Sequence, residues 1–151
     1  MLFQDAALSY LHFAFAFILA GALAAEAFVL RLPVDGRVAR LLLRIDLFYG
    51  ISAVGVIVAG VARLFWGAKG ASYYASQPFF WAKMATLALI GLISIAPTRA
   101  FIGWVRRAGQ DAAFAVVEAD ARRMRRLVMI ELHLLALVPL FAALMARGIG
   151  G

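Results

Sequence analysis

The sequence predicts an all-α integral membrane protein, a bundle of four helices, and three observations carry that prediction. Residues of the AVILMFWYC set make up 66% of the 151-residue chain and charged residues only 15%, against about 45–50% and 25% in soluble domains. Four stretches are long enough to cross a bilayer, which takes about 20 mostly apolar residues. None of them alternates with a period of two, which argues against a barrel. The lack of cysteine excludes a disulfide scaffold, a thiolate metal site and a cysteine nucleophile. A chain this apolar is not disordered, and its length, residues 1–151, suits one domain.

The first span covers about residues 6–30. Ala22-Leu23-Ala24 resembles a signal-peptide cleavage site, but no basic segment precedes it and the apolar run is too long, so a retained span is expected. Pro33 and Gly36 separate it from the second span, about 41–66. Residues 67–78, GAKGASYYASQP, lead to the third, about 79–103. The fourth covers about 127–146. Pro97 and Pro139 are expected kinks, which membrane helices tolerate. Gly21, Ala25, Gly50, Gly55, Ala59 and Gly60 are small enough for close helix contact. Residues 112–126 lack proline and glycine, and Phe114, Val117 and Ala121 recur at helical spacing. They read as an amphipathic helix on the membrane surface or as an extension of the fourth span. The chain has no internal repeat or low-complexity tract, and it lacks the paired, broken segments of a secondary transporter.

The net charge of +7 is distributed unevenly. Arg31, Arg37, Arg40 and Arg44 flank the first connector. Arg99, Arg106, Arg107, Arg122, Arg123, Arg125 and Arg126 flank the third. The second holds Lys69, bordered by Arg63 and Lys83. By the positive-inside rule the first and third connectors are cytoplasmic and both termini lie outside, which suits a multi-pass protein of a bacterial inner membrane. The basic excess is thus a topology signal with some attraction to anionic lipid. No motif supports nucleic-acid binding.

Ionisable groups inside a span are costly and are functional candidates by default. His12 and His133 are the only histidines, and both fall within spans. Paired intramembrane imidazoles suggest the axial ligation of haem b inside a helical bundle. However, His12 belongs about two turns below the outer border and His133 about two turns above the inner one, a mismatch in depth of roughly 10 Å. A second constellation shares one depth: His12, Arg63, Lys83 and Met84, with Tyr10, Trp66 and Trp81 nearby. Two cations and an imidazole suit haem propionates, a quinone head group or a lipid phosphate, with Met84 a potential iron ligand opposite His12. The alternative is that Arg63 and Lys83 snorkel to lipid phosphates while His12 hydrogen-bonds a neighbouring helix. Toward the cytoplasm, Glu26, Asp46, Glu131 and His133 fall at the depth of Arg44 and Arg99. They read as interhelical pairs that fix the bundle or, alternatively, as a proton path or ion site. Glu131 and His133 are two apart, as are Arg44 and Asp46, so only one of each pair can face the bundle centre squarely. No Glu-x-x-His pair points to a di-iron bundle.

With these residues in view, the chain resembles a family of bacterial four-helix membrane proteins known as domain of unknown function 2214. The likeness spans nearly the whole chain. It rests on Tyr10-Leu11-His12, Asp46 with Tyr49-Gly50, Gly60 with Arg63, Gly67, Lys69 and Gly70 with Tyr73-Tyr74, Phe80 with Lys83, Ile95 with Pro97-Thr98, Glu131, and Ala146-Arg147-Gly148. It implies the fold and no activity. A more distant likeness is to membrane-embedded protoporphyrinogen oxidase and copper-resistance D type proteins, through Leu11-His12 and Trp81 with Lys83. Those oxidases imply haem b and porphyrin chemistry. The histidine they place late in the third helix is missing here, where residues 93–101 read ISIAPTRAF, so only His12 and Lys83 carry over. The expected function is therefore a redox protein binding haem, porphyrin or quinone. The alternative is a non-catalytic accessory or assembly subunit, contacting other membrane subunits or its own copies.

Overall fold

The computed structural model describes residues 2–66 and 70–149. Four long helices, α1 (Leu2–Val29), α2 (Gly36–Trp66), α4 (Pro78–Ala108) and α5 (Glu118–Ala146), are joined by short connectors, with a small α3 (Gly70–Ala75) between α2 and α4. All four are long and apolar enough to cross a membrane. Each has 28–31 residues. At 1.5 Å per residue that is about 42–47 Å, more than the roughly 30 Å of a bilayer core.

Helix α1 gains its extra length at its N-terminus, whereas in α2, α4 and α5 the extra length lies at the arginine-rich end. There α2 starts five residues before the expected span and α5 nine residues before it, while α4 runs five residues past. An apolar-window reading stops where arginines begin, yet arginine is a good helix former. Asp35 starts α2: its Oδ1 accepts the backbone N–H groups of Val38 at 2.8 Å and Arg37 at 2.9 Å, as an N-cap should. Those bonds, first the one from Val38, hold the exposed Asp35 carboxyl below its ordinary range, with Arg37 and Arg40 adding to the effect.

Of the two readings of residues 112–126, the structure takes the extension. Residues 112–117 are not helical, and Glu118–Arg126 form the first turns of α5. Glu118 and Asp120 favour a helix N-terminus, and Glu118 sits 3.6 Å from Arg122 one turn later. The first and third connectors meet across the end of the bundle: Asp35 and Ala115 form an isolated antiparallel bridge, and the Val116 N–H donates to the Val34 carbonyl at 2.9 Å.

Around the bundle the helices follow the order α1, α2, α4, α5. Two hairpins, α1–α2 and α4–α5, make the extensive contacts, and α2 against α4 and α1 against α5 join them. The buried positions recur every three or four residues. They are Leu19, Ala22, Leu23, Glu26 and Leu30 on the first hairpin's leading strand of helix, and Ala39, Leu42, Asp46, Tyr49, Ser52, Val56 and Ala59 on α2. On α4 they include Pro97, Phe101 and Trp104, and on α5 Ala121, Met124, Val128 and Glu131. This is the spacing of a helix-bundle seam. Most of these residues crowd the basic end, where Phe101, Leu42, Ala39 and Val128 are fully enclosed. Phe13, Phe17, Ile57, Val58 and Leu92 face outward, as lipid-facing residues do.

The expected small-residue contacts are selective. A β-carbon on Gly55 would lie 2.6 Å from the Phe15 ring, and one on Gly60 would lie 3.4 Å from His12. Gly21 and Gly50 face open space.

Candidate functional site

The polar interior forms two layers. The first lies toward the α3 end. His12 on α1 is half-buried, and its Nδ1 is 3.1 Å from the Val56 carbonyl of α2. Gly60, one turn along α2, lets the ring approach. A carbonyl only accepts, so Nδ1 carries the hydrogen and Nε2 keeps its lone pair. Arg63 lies one turn beyond Gly60 on the same face. Arg63 and Lys83 are both within electrostatic range of His12 and of each other. The Nε–H of Arg63 is buried without an acceptor, whereas the Lys83 ammonium sits 5.5 Å from the Phe80 ring centroid. Asp5, two turns before His12 on α1, makes no ion pair with these cations among the described residues. The exposed Tyr10, Trp66 and Trp81 flank the layer, as interfacial aromatic side chains do. Met84 is half-buried on α4, one residue from Lys83.

The second layer lies toward the basic end and draws on all four long helices. Glu26 and Glu131 are each 1% exposed and Asp46 7%, depths at which carboxyl groups are rare. The Tyr49 hydroxyl donates to Glu131 Oε2 at 3.2 Å. The Thr98 hydroxyl donates to Asp46 Oδ1 at 2.9 Å. Ser94 lies beside the Tyr49 hydroxyl. Glu26 is in electrostatic range of both Asp46 and Glu131. Glu26 Oε1 and Glu131 Oε1 have no hydrogen-bond partner.

The expected pairing of these acids with Arg44 and Arg99 does not occur; among the described residues the ion pair is Glu118–Arg122. Arg44 and Asp46 are two residues apart on one helix and so point in nearly opposite directions; Asp46 turns inward and Arg44 outward. Arg99, next to Thr98, is likewise exposed. The same geometry separates Glu131 from His133, which is exposed and bonds to the Met129 carbonyl of its own helix. His133 therefore joins neither layer, and the two histidines are not brought together.

Two adjoining grooves of about 470 and 550 Å³ run between α2 and α4, sharing Asp46, Leu47 and Thr98. Arg40 and Arg44 line the first at the basic end, and Gly50, Gly91 and Ser94 line the second. Among the described residues no group of three or more histidine or acidic side chains has metal-binding geometry. Tyr49, Ser52, Ser94 and Thr98 were not singled out as site residues by composition. Their signal is the seam: Asp46, Tyr49 and Ser52 continue the buried spacing of Ala39 and Leu42. Gly67 and Lys69 of the sequence motif lie outside the described residues.

The chain matches the family described as Predicted membrane protein (DUF2214) over residues 4–150, and it belongs to that family. Comparison with curated proteins and with solved structures gives no match.

Proposed function

From membership in a family of multi-pass membrane proteins, we propose a redox protein of a bacterial inner membrane that binds a quinone head group in the layer of His12, Arg63 and Lys83. The observation that carries this reading is the buried Arg63 Nε–H with no acceptor. Leaving a buried charged donor unpaired is costly, and a ligand carbonyl would satisfy it. His12 supports the same chemistry. With Nδ1–H held by Val56, Nε2 is an acceptor for a quinol hydroxyl, while Arg63 and Lys83 donate to the opposite oxygen.

The hydrogen bond from Nδ1 to a backbone carbonyl is also how metal-ligating histidines are oriented, which supports haem b as a second ligand. His12 would then hold the iron, with Met84 as the candidate opposite it, and Arg63 and Lys83 would hold the propionates. The donor set favours the quinone, because His133, the other imidazole, faces outward.

The purified protein in nanodiscs, titrated with decyl-ubiquinone, tests the reading through quenching of Trp66 and Trp81. Saturable quenching is expected, weakened about tenfold or more in Arg63→Ala and His12→Ala by loss of a hydrogen bond to a charged or buried group. A Soret band lost in His12→Ala would make haem the ligand. Unsaturable quenching with no Soret band would sink both, and co-purification with a larger membrane complex would then favour the accessory role.

In this proposal both termini lie outside. Eleven basic residues cluster at the end with the first and third connectors, the bias that holds short loops in the cytoplasm. The lack of native cysteine makes a labelling test clean. On intact cells an impermeant maleimide is expected to label Ala75→Cys and spare Asp111→Cys; the reverse pattern would invert the orientation.

A further inference from the structure

We propose that Glu26, Asp46 and Glu131 form a proton-binding site that exchanges with water through the groove between α2 and α4. The site stands apart from the His12 layer and does not depend on what binds there.

Each face of the site has a definite contribution. From α1 comes Glu26; from α2, Asp46 and Tyr49; from α5, Glu131. From α4 come only the hydroxyls of Ser94 and Thr98. The nearby cations Arg44 and Arg99 and the imidazole of His133 are all exposed on the outer faces of their helices. Three acidic side chains therefore share an enclosed space with no counter-cation among the described residues. An ionised carboxylate in such a place is prohibitively expensive unless paired.

The unpartnered oxygens indicate what the site takes. Glu26 is almost completely enclosed, and its Oε1, like Oε1 of Glu131, has no donor. What each lacks is a hydrogen. A proton arriving from water forms an O–H bond at one carboxylate oxygen, and that O–H can donate to a neighbouring carboxyl. Among the described residues no group of three or more such side chains has metal-binding geometry, which favours a proton over a metal cation. Tyr49 and Thr98 occupy one oxygen each of Glu131 and Asp46, which leaves the remaining oxygens to share the added hydrogen.

The groove supplies the route. Asp46 is common to both grooves, the first of which opens beside Arg40 and Arg44. Leu47, 60% exposed, lines both grooves beside Asp46. A larger side chain at this position narrows both.

Infrared spectroscopy of the full chain in lipid reads the site directly. A protonated-carboxyl carbonyl band is expected at neutral pH, shifting in D2O, and losing intensity in Glu26→Gln and Glu131→Gln. Leu47→Trp is expected to keep the band and slow its D2O shift by about an order of magnitude. Since a carboxyl variant can fail to fold, the unmodified protein and Leu47→Trp decide independently of the others. Absence of the band in the unmodified protein would overturn the proposal. So would a band unaffected by Glu26→Gln, Asp46→Asn and Glu131→Gln in folded protein. Loss of the band on adding Na⁺ or Mg²⁺ at constant pH would make the site a metal-cation site instead. An unchanged exchange rate in Leu47→Trp would overturn the route.

Discussion

Phe101→Ala is expected to be among the most destabilising single truncations in the bundle, by about 2–3 kcal/mol. Phe101 is fully enclosed at the basic end, 5.5 Å between ring centroids from the buried Trp104. In water, part of such a loss would be the transfer of apolar surface. In a bilayer that part largely vanishes, because lipid is as apolar as the protein interior. What remains is the void: roughly 100 Å³ at about 24 cal/mol per Å³ gives the stated range. Ile102→Ala is the control. Ile102 is adjacent and 45% exposed, so its truncation faces lipid and should stay within about 0.5 kcal/mol. Denaturant unfolding in mixed micelles, followed by tryptophan fluorescence, measures both. Equal losses at 101 and 102 would mean that the inward seam is misassigned.

The second large effect should come from adding one carbon. Gly55→Ala places a β-carbon 2.6–2.7 Å from three atoms of the Phe15 ring, including the atom at its base. Rotating the ring about its own axis cannot relieve that contact, so α1 and α2 must separate or Phe15 must leave its rotamer. Overpacking of this kind costs about 1–3 kcal/mol, against a helix-propensity gain of at most about 1 kcal/mol. Gly50→Ala, on the same helix, receives the gain without the clash, since nothing lies within 4 Å of the added carbon. The two substitutions are thus expected to move thermal stability in opposite directions. Adding Phe15→Ala to Gly55→Ala should recover much of the loss relative to Phe15→Ala alone. Equal effects at 50 and 55 would refute the close α1–α2 approach.

The polar interior was legible in kind but not in partnership. Glu26, Asp46 and Glu131 stand out because carboxyls within apolar spans are rare and costly. Depth alone groups them with Arg44 and Arg99, while the two-residue spacing already allows only one of Arg44 and Asp46 to face the bundle centre. Two residues along a helix reverse direction, so Asp46 and Arg44 share a depth and face opposite ways. Tyr49 and Thr98, which do reach the acids, carry no charge and drew no notice from composition. The seven-residue seam on α2 would have found Tyr49 and Ser52, because they fall in step with Ala39, Leu42 and Asp46. Thr98 is marked only as part of the Ile95, Pro97-Thr98 motif, and its role depends on α4 lying beside α2.

The sequence by itself determined the membrane fold, the four helices, the uneven distribution of arginine and the residues whose burial needs a reason. These follow from length, hydropathy and charge, which are local properties of each segment. The offset of His12 from His133 already follows from their depths; tertiary contacts alone set the order of helices around the bundle and the enclosure of the three carboxyls, without a cation among the described residues. Those depend on the angular register of each helix and on which face meets which neighbour. An error of one or two residues in a helix boundary leaves a span intact. The same error in angular register turns a side chain from the bundle interior toward lipid.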